Sequence, residues 1–105
     1  MHTWTLDDRI AEALRTVIDP EIGINIVDLG LVYGALELPN GDIDVQMTLT
    51  TPVCPLSTYL QAEAEAAIRR AFPEAGAVRV QIVWDPPWDA SMMSDRARRE
   101  LGWQQ

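Results

Sequence analysis

The sequence predicts an α/β (α+β) domain: a small mixed three-stranded sheet with helices packed on it, in the order helix, hairpin, helix, strand, helix. Three observations carry this. Asn40-Gly41 lies between two strand-like runs, and Asn-Gly is the strongest short hairpin signal. Ile43, Val45, Met47 and Leu49 alternate with Asp44, Gln46 and Thr48, which is the period of a half-buried strand. Leu56, Leu60, Ala64, Ala67, Ile68 and Ala71 recur at helical spacing, giving one apolar stripe.

The first helix is read from Leu6, Ile10, Ala13, Leu14 and Val17. Thr5 is its expected cap, and Asp7 and Asp8 suit its first turn. Asp19-Pro20 should end it, because the residue before proline disfavours the helical region. The loop over 21–30 is unusually apolar, so part of it should pack against the core. Residues 32–38 form the next strand, with Val32, Gly34, Leu36 and Leu38 expected on one face. The second helix is expected over 55–71, with Arg69 and Arg70 at the end where cations are favoured. Val78, Val80, Ile82 and Trp84 alternate in the third strand, and Trp84 is expected in the core. The sequence does not say which hairpin strand the third one joins. Ser94 should cap a short last helix that Gly102 stops.

Residues 1–105 are read as a single domain, since 105 residues with 48% hydrophobic content suffice for one packed core. A single cysteine excludes an internal disulfide. The stretch before the first helical pattern is too short and polar for a signal peptide, and no apolar run reaches membrane-spanning length. A cytoplasmic protein with no membrane partner is therefore expected. The net charge is −8 and all eight basic residues are arginine. An acidic surface repels phosphate backbones, which argues against a nucleic-acid partner.

Cys54 is the residue with the clearest chemistry. It stands in Thr50-Thr51-Pro52-Val53-Cys54-Pro55-Leu56, where a strand pattern ends and a helix pattern begins. Proline suits the first helical position, which makes Cys54 the expected cap. A thiol beside unpaired backbone N–H groups and the positive dipole end has a lowered pKa, and its thiolate attacks electrophiles and binds metals. A base is missing: the only histidine is His2, near the terminus. Asp19, Glu21 and Asp28 are the carboxylates to consider as neighbours. Each also has a structural reading, as helix stop, solvated charge and turn anchor respectively. Thr50 and Thr51 offer hydroxyls to a thiolate or anion, or are ordinary strand-end threonines. Trp88, Met92 and Met93 form either an exposed patch for a partner or a cover folded back on the sheet. No Cys-x-x-Cys pair and no Gly-rich phosphate loop occurs.

Three ordered blocks of this sequence resemble one family. They are Asp19-Pro20-Glu21 with 25–33; Met47-Thr48-Leu49-Thr50-Thr51-Pro52-Val53-Cys54-Pro55-Leu56; and Pro86-Pro87-Trp88 through Met93-Ser94 to Leu101-Gly102. The chain looks like the metal–sulfur cluster biosynthesis proteins related to SufT and PaaD. The resemblance implies a compact α/β domain that helps mature iron–sulfur proteins, with Cys54 as the functional thiol and metal ligand. It also implies that Asp19, Glu21, Thr50 and Thr51 line the same region, and Asp28 is added to that pocket from its own place between apolar residues. PaaD proteins carry further C-terminal cysteines, which this chain lacks, and related domains fused to a carrier ATPase have a P-loop, which it also lacks.

The reading that follows is a non-catalytic accessory of cluster assembly or transfer. Its cargo would be a transient iron–sulfur cluster or iron, with nothing tightly bound. Its partners would be a scaffold or carrier ATPase and apo client proteins, with a homodimer as one route to a ligand set. Two rivals stand beside it: an enzyme using Cys54 as a nucleophile or redox thiol, and a metal-free adaptor working through Trp88 and the methionines.

Overall fold

The computed structural model describes residues 5–50 and 56–102. In order these form α1 (Asp8–Leu14), β1 (Val32–Glu37), β2 (Ile43–Met47), α2 (Ser57–Ala71), β3 (Val78–Ile82), a 3-10 turn (Ala90–Met92) and α3 (Asp95–Leu101). The mixed α/β architecture is the one the sequence predicts. The strands run in the order β1-β2-β3. β1 and β2 are antiparallel, and β3 joins β2 in parallel. Parallel neighbours need a crossover connection, and α2 supplies it.

β2 is the centre of the domain. Ile43, Val45 and Met47 are fully buried and Leu49 nearly so, as their alternation requires. Against them pack Ile10 and Leu14 of α1 and Leu60, Ala64, Ala67 and Ile68 of α2. The apolar loop joins this core through Ile24, Ile26, Leu29 and Leu31. The hairpin closes at Gly41, whose φ of +92° lies where glycine has no Cβ penalty. Ser94 caps α3 by accepting from the Ala97 N–H, and Gly102 ends it in the left-handed region.

Several expectations are corrected. The cap of α1 is Asp7, whose carboxylate accepts from the Arg9 N–H at 2.8 Å, and not Thr5. Thr5 and Leu6 are extended instead: the Asp7 N–H reaches the Ala35 carbonyl and the Ala35 N–H reaches Thr5, laying this segment along β1. The helix stops at Leu14, before Asp19-Pro20. The β-branched run Thr16-Val17-Ile18 explains this, because such side chains lose χ1 freedom in a helix. In β1 a bulge falls between Val32 and Gly34. It inserts Tyr33 and flips the faces that follow, so Ala35 is buried and Leu36 is 43% exposed. Trp84 lies beyond the end of β3 and is 45% exposed, outside the core.

Removing the Asp7 carboxylate should cost about 1 kcal/mol, the usual value of an N-cap. Burial raises the Asp7 pKa, but the Arg9 N–H and guanidinium together outweigh it and hold it below the ordinary value. A depressed folded-state pKa gives stability that is present above the unfolded value and lost as pH falls through the folded one. Asp7→Ala should therefore lower the melting temperature at neutral pH, with the gap to the parent closing below about pH 4. Thermal melts at the two pH values check this; a gap that widens in acid contradicts it.

Candidate functional site

Cys54 and Thr51 lie outside the described residues. What surrounds their segment is described on both sides. On one side β2 runs out through buried Thr48 and Leu49 to exposed Thr50. On the other, α2 begins at Ser57 with Leu56 as its N-cap. The cap position therefore does not fall on Cys54, as the proline had suggested; the first helical bond is accepted by the Leu56 carbonyl, from the Leu60 N–H at 2.8 Å. Leucine has no oxygen to offer, and no side chain caps α2 from that position. Its first-turn N–H groups keep their partial positive charge a short way down the chain from the thiol.

Asp19 and Asp28 are buried, and both are held by their own loop. The Asp19 carboxylate accepts from the Glu21 N–H at 2.9 Å, and its backbone carbonyl accepts from the N–H groups of Ile22 and Gly23. This is a tight turn that Gly23 completes at φ +84°. Asp28 and Asn25 bind reciprocally: the Asn25 amide donates to Asp28 Oδ2 at 2.7 Å, and the Asp28 N–H donates to Asn25 Oδ1 at 2.9 Å. Leu29 then bonds back to the Asn25 carbonyl. The result is one helical turn with a reciprocal cap, closed by Gly30 at φ +79°. The three-residue spacing in Asn25-Ile26-Val27-Asp28 is that of a capping box, a signal the sequence offered and the reading missed. Glu21 is exposed. Among the described residues no hydrogen bond ties Thr50 to Asp19, Glu21 or Asp28, and no three His, Cys, Asp or Glu side chains are placed to hold a metal ion.

The segment over 84–94 folds back on this turn. The Trp88 indole N–H donates to the Leu29 carbonyl at 2.8 Å, and the Ser94 N–H donates to the Asp28 carbonyl at 2.8 Å. The Tyr33 hydroxyl, displaced by the bulge, donates to the Pro86 carbonyl at 2.7 Å and lies 3.5 Å from the Met92 sulfur. Of the expected partner patch, Met93 is a core residue at 4% exposure; Trp88 and Met92 are half-buried. The Trp88 indole is thus tied to the loop and the Met92 sulfur to Tyr33 of β1.

Thr48 alternates with the apolar positions of its strand, which implies the solvent face, yet it is fully buried. Its N–H donates to the Leu31 carbonyl at 2.7 Å, while its hydroxyl makes no well-formed hydrogen bond among the described residues. Tyr33, which the sequence reading passed over, is its polar neighbour. Burial pushes the Tyr33 phenol above its ordinary pKa and the carboxylates of Asp89 and Asp85 push it further, against the Thr48 hydroxyl, which acts the other way. The phenol is therefore a standing donor at neutral pH.

No helix among the described residues is long and apolar enough to cross a membrane.

Comparison with known proteins gives the following likenesses. The family described as "Iron-sulfur cluster assembly protein" matches residues 7–82. The chain is 41% identical to the Fe-S protein maturation auxiliary factor YitW of Bacillus subtilis, covering 92% of this chain and 94% of that one. It is 43% identical to the Fe-S protein maturation auxiliary factor SufT of Staphylococcus aureus, covering 82% and 97%. An iron-sulfur cluster carrier protein of Synechocystis is 28% identical over 81% of this chain but only 24% of its own length. Among solved structures, a domain of unknown function from Bacillus anthracis matches with a TM-score of 0.88 at 34% identity, covering 92% of each chain.

Proposed function

Because this chain belongs to the family of iron–sulfur cluster assembly proteins, we propose that it is a non-catalytic accessory that passes an iron–sulfur cluster, or its iron, to client proteins through Cys54. The maturation-factor names of its full-length relatives support the role. The observation that carries the assignment to Cys54 is the construction around its segment. In sequence, the one thiol of the chain lies between a buried strand end and a helix whose N-cap, Leu56, offers no side-chain bond. A helix N-terminus close to a thiol favours the thiolate, and α2 begins three residues after Cys54.

A cluster normally takes four protein ligands, chiefly thiolates. This chain has one cysteine, and its described carboxylates do not converge. A single chain therefore cannot enclose a cluster with thiolates. Two chains related by a twofold axis give two, with an exogenous thiol or a partner protein completing the set. Such a site is open and labile, which suits handover to a client or acceptance from a scaffold or carrier ATPase.

Anaerobic reconstitution of the full chain with iron and sulfide tests this. We expect no more than about one cluster per two chains, a native mass of a dimer in the loaded fraction, and loss of the cluster in Cys54→Ala. A stable cluster on a monomer, or one that survives Cys54→Ala, overturns the assignment.

A further inference from the structure

The 84–94 segment is held by few polar contacts, and one of them involves a group that chemistry can change. Met47 is fully buried and Met93 is 4% exposed. Among the described methionines, Met92 alone is not buried. Its sulfur lies 3.5 Å from the Tyr33 hydroxyl, and the same hydroxyl donates to the Pro86 carbonyl at 2.7 Å. One phenolic proton faces two acceptors. A thioether is a weak acceptor, so the carbonyl holds the proton and Tyr33 pins the segment to β1.

The Met92 backbone is seated directly on Gly30. It packs so closely on Gly30 that a Cβ built there would lie 2.7 Å from the Met92 carbonyl carbon, and its N–H donates to the Asp89 carbonyl at 3.0 Å. A change at the sulfur acts on the polar group beside it, the Tyr33 hydroxyl.

We propose that Met92 is a peroxide-sensitive modification site, and that its oxidation draws the Tyr33 hydroxyl away from Pro86 and loosens the 84–94 segment. In the step, a sulfur lone pair attacks one oxygen of hydrogen peroxide. The S–O bond forms as the O–O bond breaks, the departing hydroxide takes up the proton released from the transferred oxygen, and water leaves. Sulfur loses two electrons and the peroxide gains them. The thioether becomes a polar sulfoxide, whose oxygen is a strong acceptor within reach of the phenol. The Pro86 carbonyl then loses this donor, and the segment keeps the bonds from Trp88 and Ser94 to the turn over 25–30 and from the Arg98 guanidinium to the Ser91 carbonyl. Methionine sulfoxide reductases reverse such a change, so the site is a switch and not only a lesion. This inference does not depend on cluster handling by Cys54.

The experiment uses the full chain with Cys54 alkylated, so that the thiol does not consume oxidant, and hydrogen peroxide as the probe. Peptide-resolved mass spectrometry should show Met92 gaining one oxygen about tenfold faster than Met47 or Met93. Amide hydrogen exchange over 84–94 should rise severalfold in the oxidised protein and return to its starting value after treatment with a methionine sulfoxide reductase. Met92→Leu should abolish the peroxide response, and Tyr33→Phe should raise exchange before any peroxide is added and show no further rise after it. Equal oxidation rates at the three methionines overturn the proposal. So does an oxidised Met92 with unchanged exchange, or a Met92→Leu protein whose segment still loosens.

Discussion

Met47→Asp should unfold the domain, whereas Gln46→Asp should leave it folded with a melting temperature lowered by a few degrees at most. Met47 is fully buried at the middle of the sheet, paired with Val32 on one side and Ile82 on the other. An aspartate there has no cation and no donor to meet it. An unpaired buried carboxylate costs several kcal/mol, comparable with the whole stability of a small domain, roughly 5–15 kcal/mol. Gln46 is one residue away on the opposite, half-exposed face. Its replacement loses some strand propensity, worth under about 1 kcal/mol, and desolvates little. Thermal melts of the two variants decide the matter. Equal melting points would mean that the face of β2 is wrong, and with it the placement of every residue that leads toward Cys54.

That contrast shows where the fold was legible. Strict alternation from Ile43 to Leu49, Asn40-Gly41 at the hairpin and Ser94 with Gly102 around α3 are local signals, and each was satisfied where local rules put it. The misreadings come from non-local contacts. Alternation through β1 fails at Tyr33 because a bulge adds one residue, and a shift of one sends every later side chain to the other face. Leu36 and Ala35 exchange places for that reason alone. Thr48 obeys the alternation but is buried, with its N–H on the Leu31 carbonyl and the Tyr33 phenol beside its hydroxyl, and alternation alone does not reveal these neighbours. Trp84 continues the alternation of Val78, Val80 and Ile82 in sequence, yet the strand has already ended. The parallel pairing of β3 with β2 was unreadable, since it depends on where α2 carries the chain.

The candidate site was legible in a different sense. The cysteine stood out by its uniqueness and its place between a strand pattern and a helix pattern, and it lies outside the described residues. The carboxylates named beside it were chosen by residue type. In the structure the bonds of Asp19 and Asp28 point inward to their own turns. Their joint contribution is a rigid platform over 17–31 that receives the Trp88 indole and the Ser94 amide. The placement of these two carboxylates is thus set by backbone turns, which residue type alone does not reveal.

The platform gives the second large effect. Gly30→Ala should destabilise the domain far more than Gly23→Ala, although both glycines have left-handed backbones, with φ of +79° and +84°. An alanine in that region costs about 1–2 kcal/mol at either site. At Gly23 nothing lies within 4 Å of the new Cβ, so that cost is the whole effect. At Gly30 the new Cβ meets the Met92 carbonyl carbon at 2.7 Å and the Met92 Cβ at 2.8 Å. Neither distance is tolerable, and the obstacle is backbone, which cannot rotate out of the way as a side-chain tip can. The segment over 84–94 must lift. Lifting it opposes the Trp88–Leu29, Ser94–Asp28 and Tyr33–Pro86 bonds together, each worth about 1 kcal/mol net, and pulls buried Met93 outward. We expect Gly30→Ala to lose about 3–5 kcal/mol in denaturant melts, against about 1–2 kcal/mol for Gly23→Ala. Amide exchange over 84–94 should rise in the first variant and stay unchanged in the second. Equal losses in the two would show that Met92 yields without cost and that the segment is not seated on Gly30.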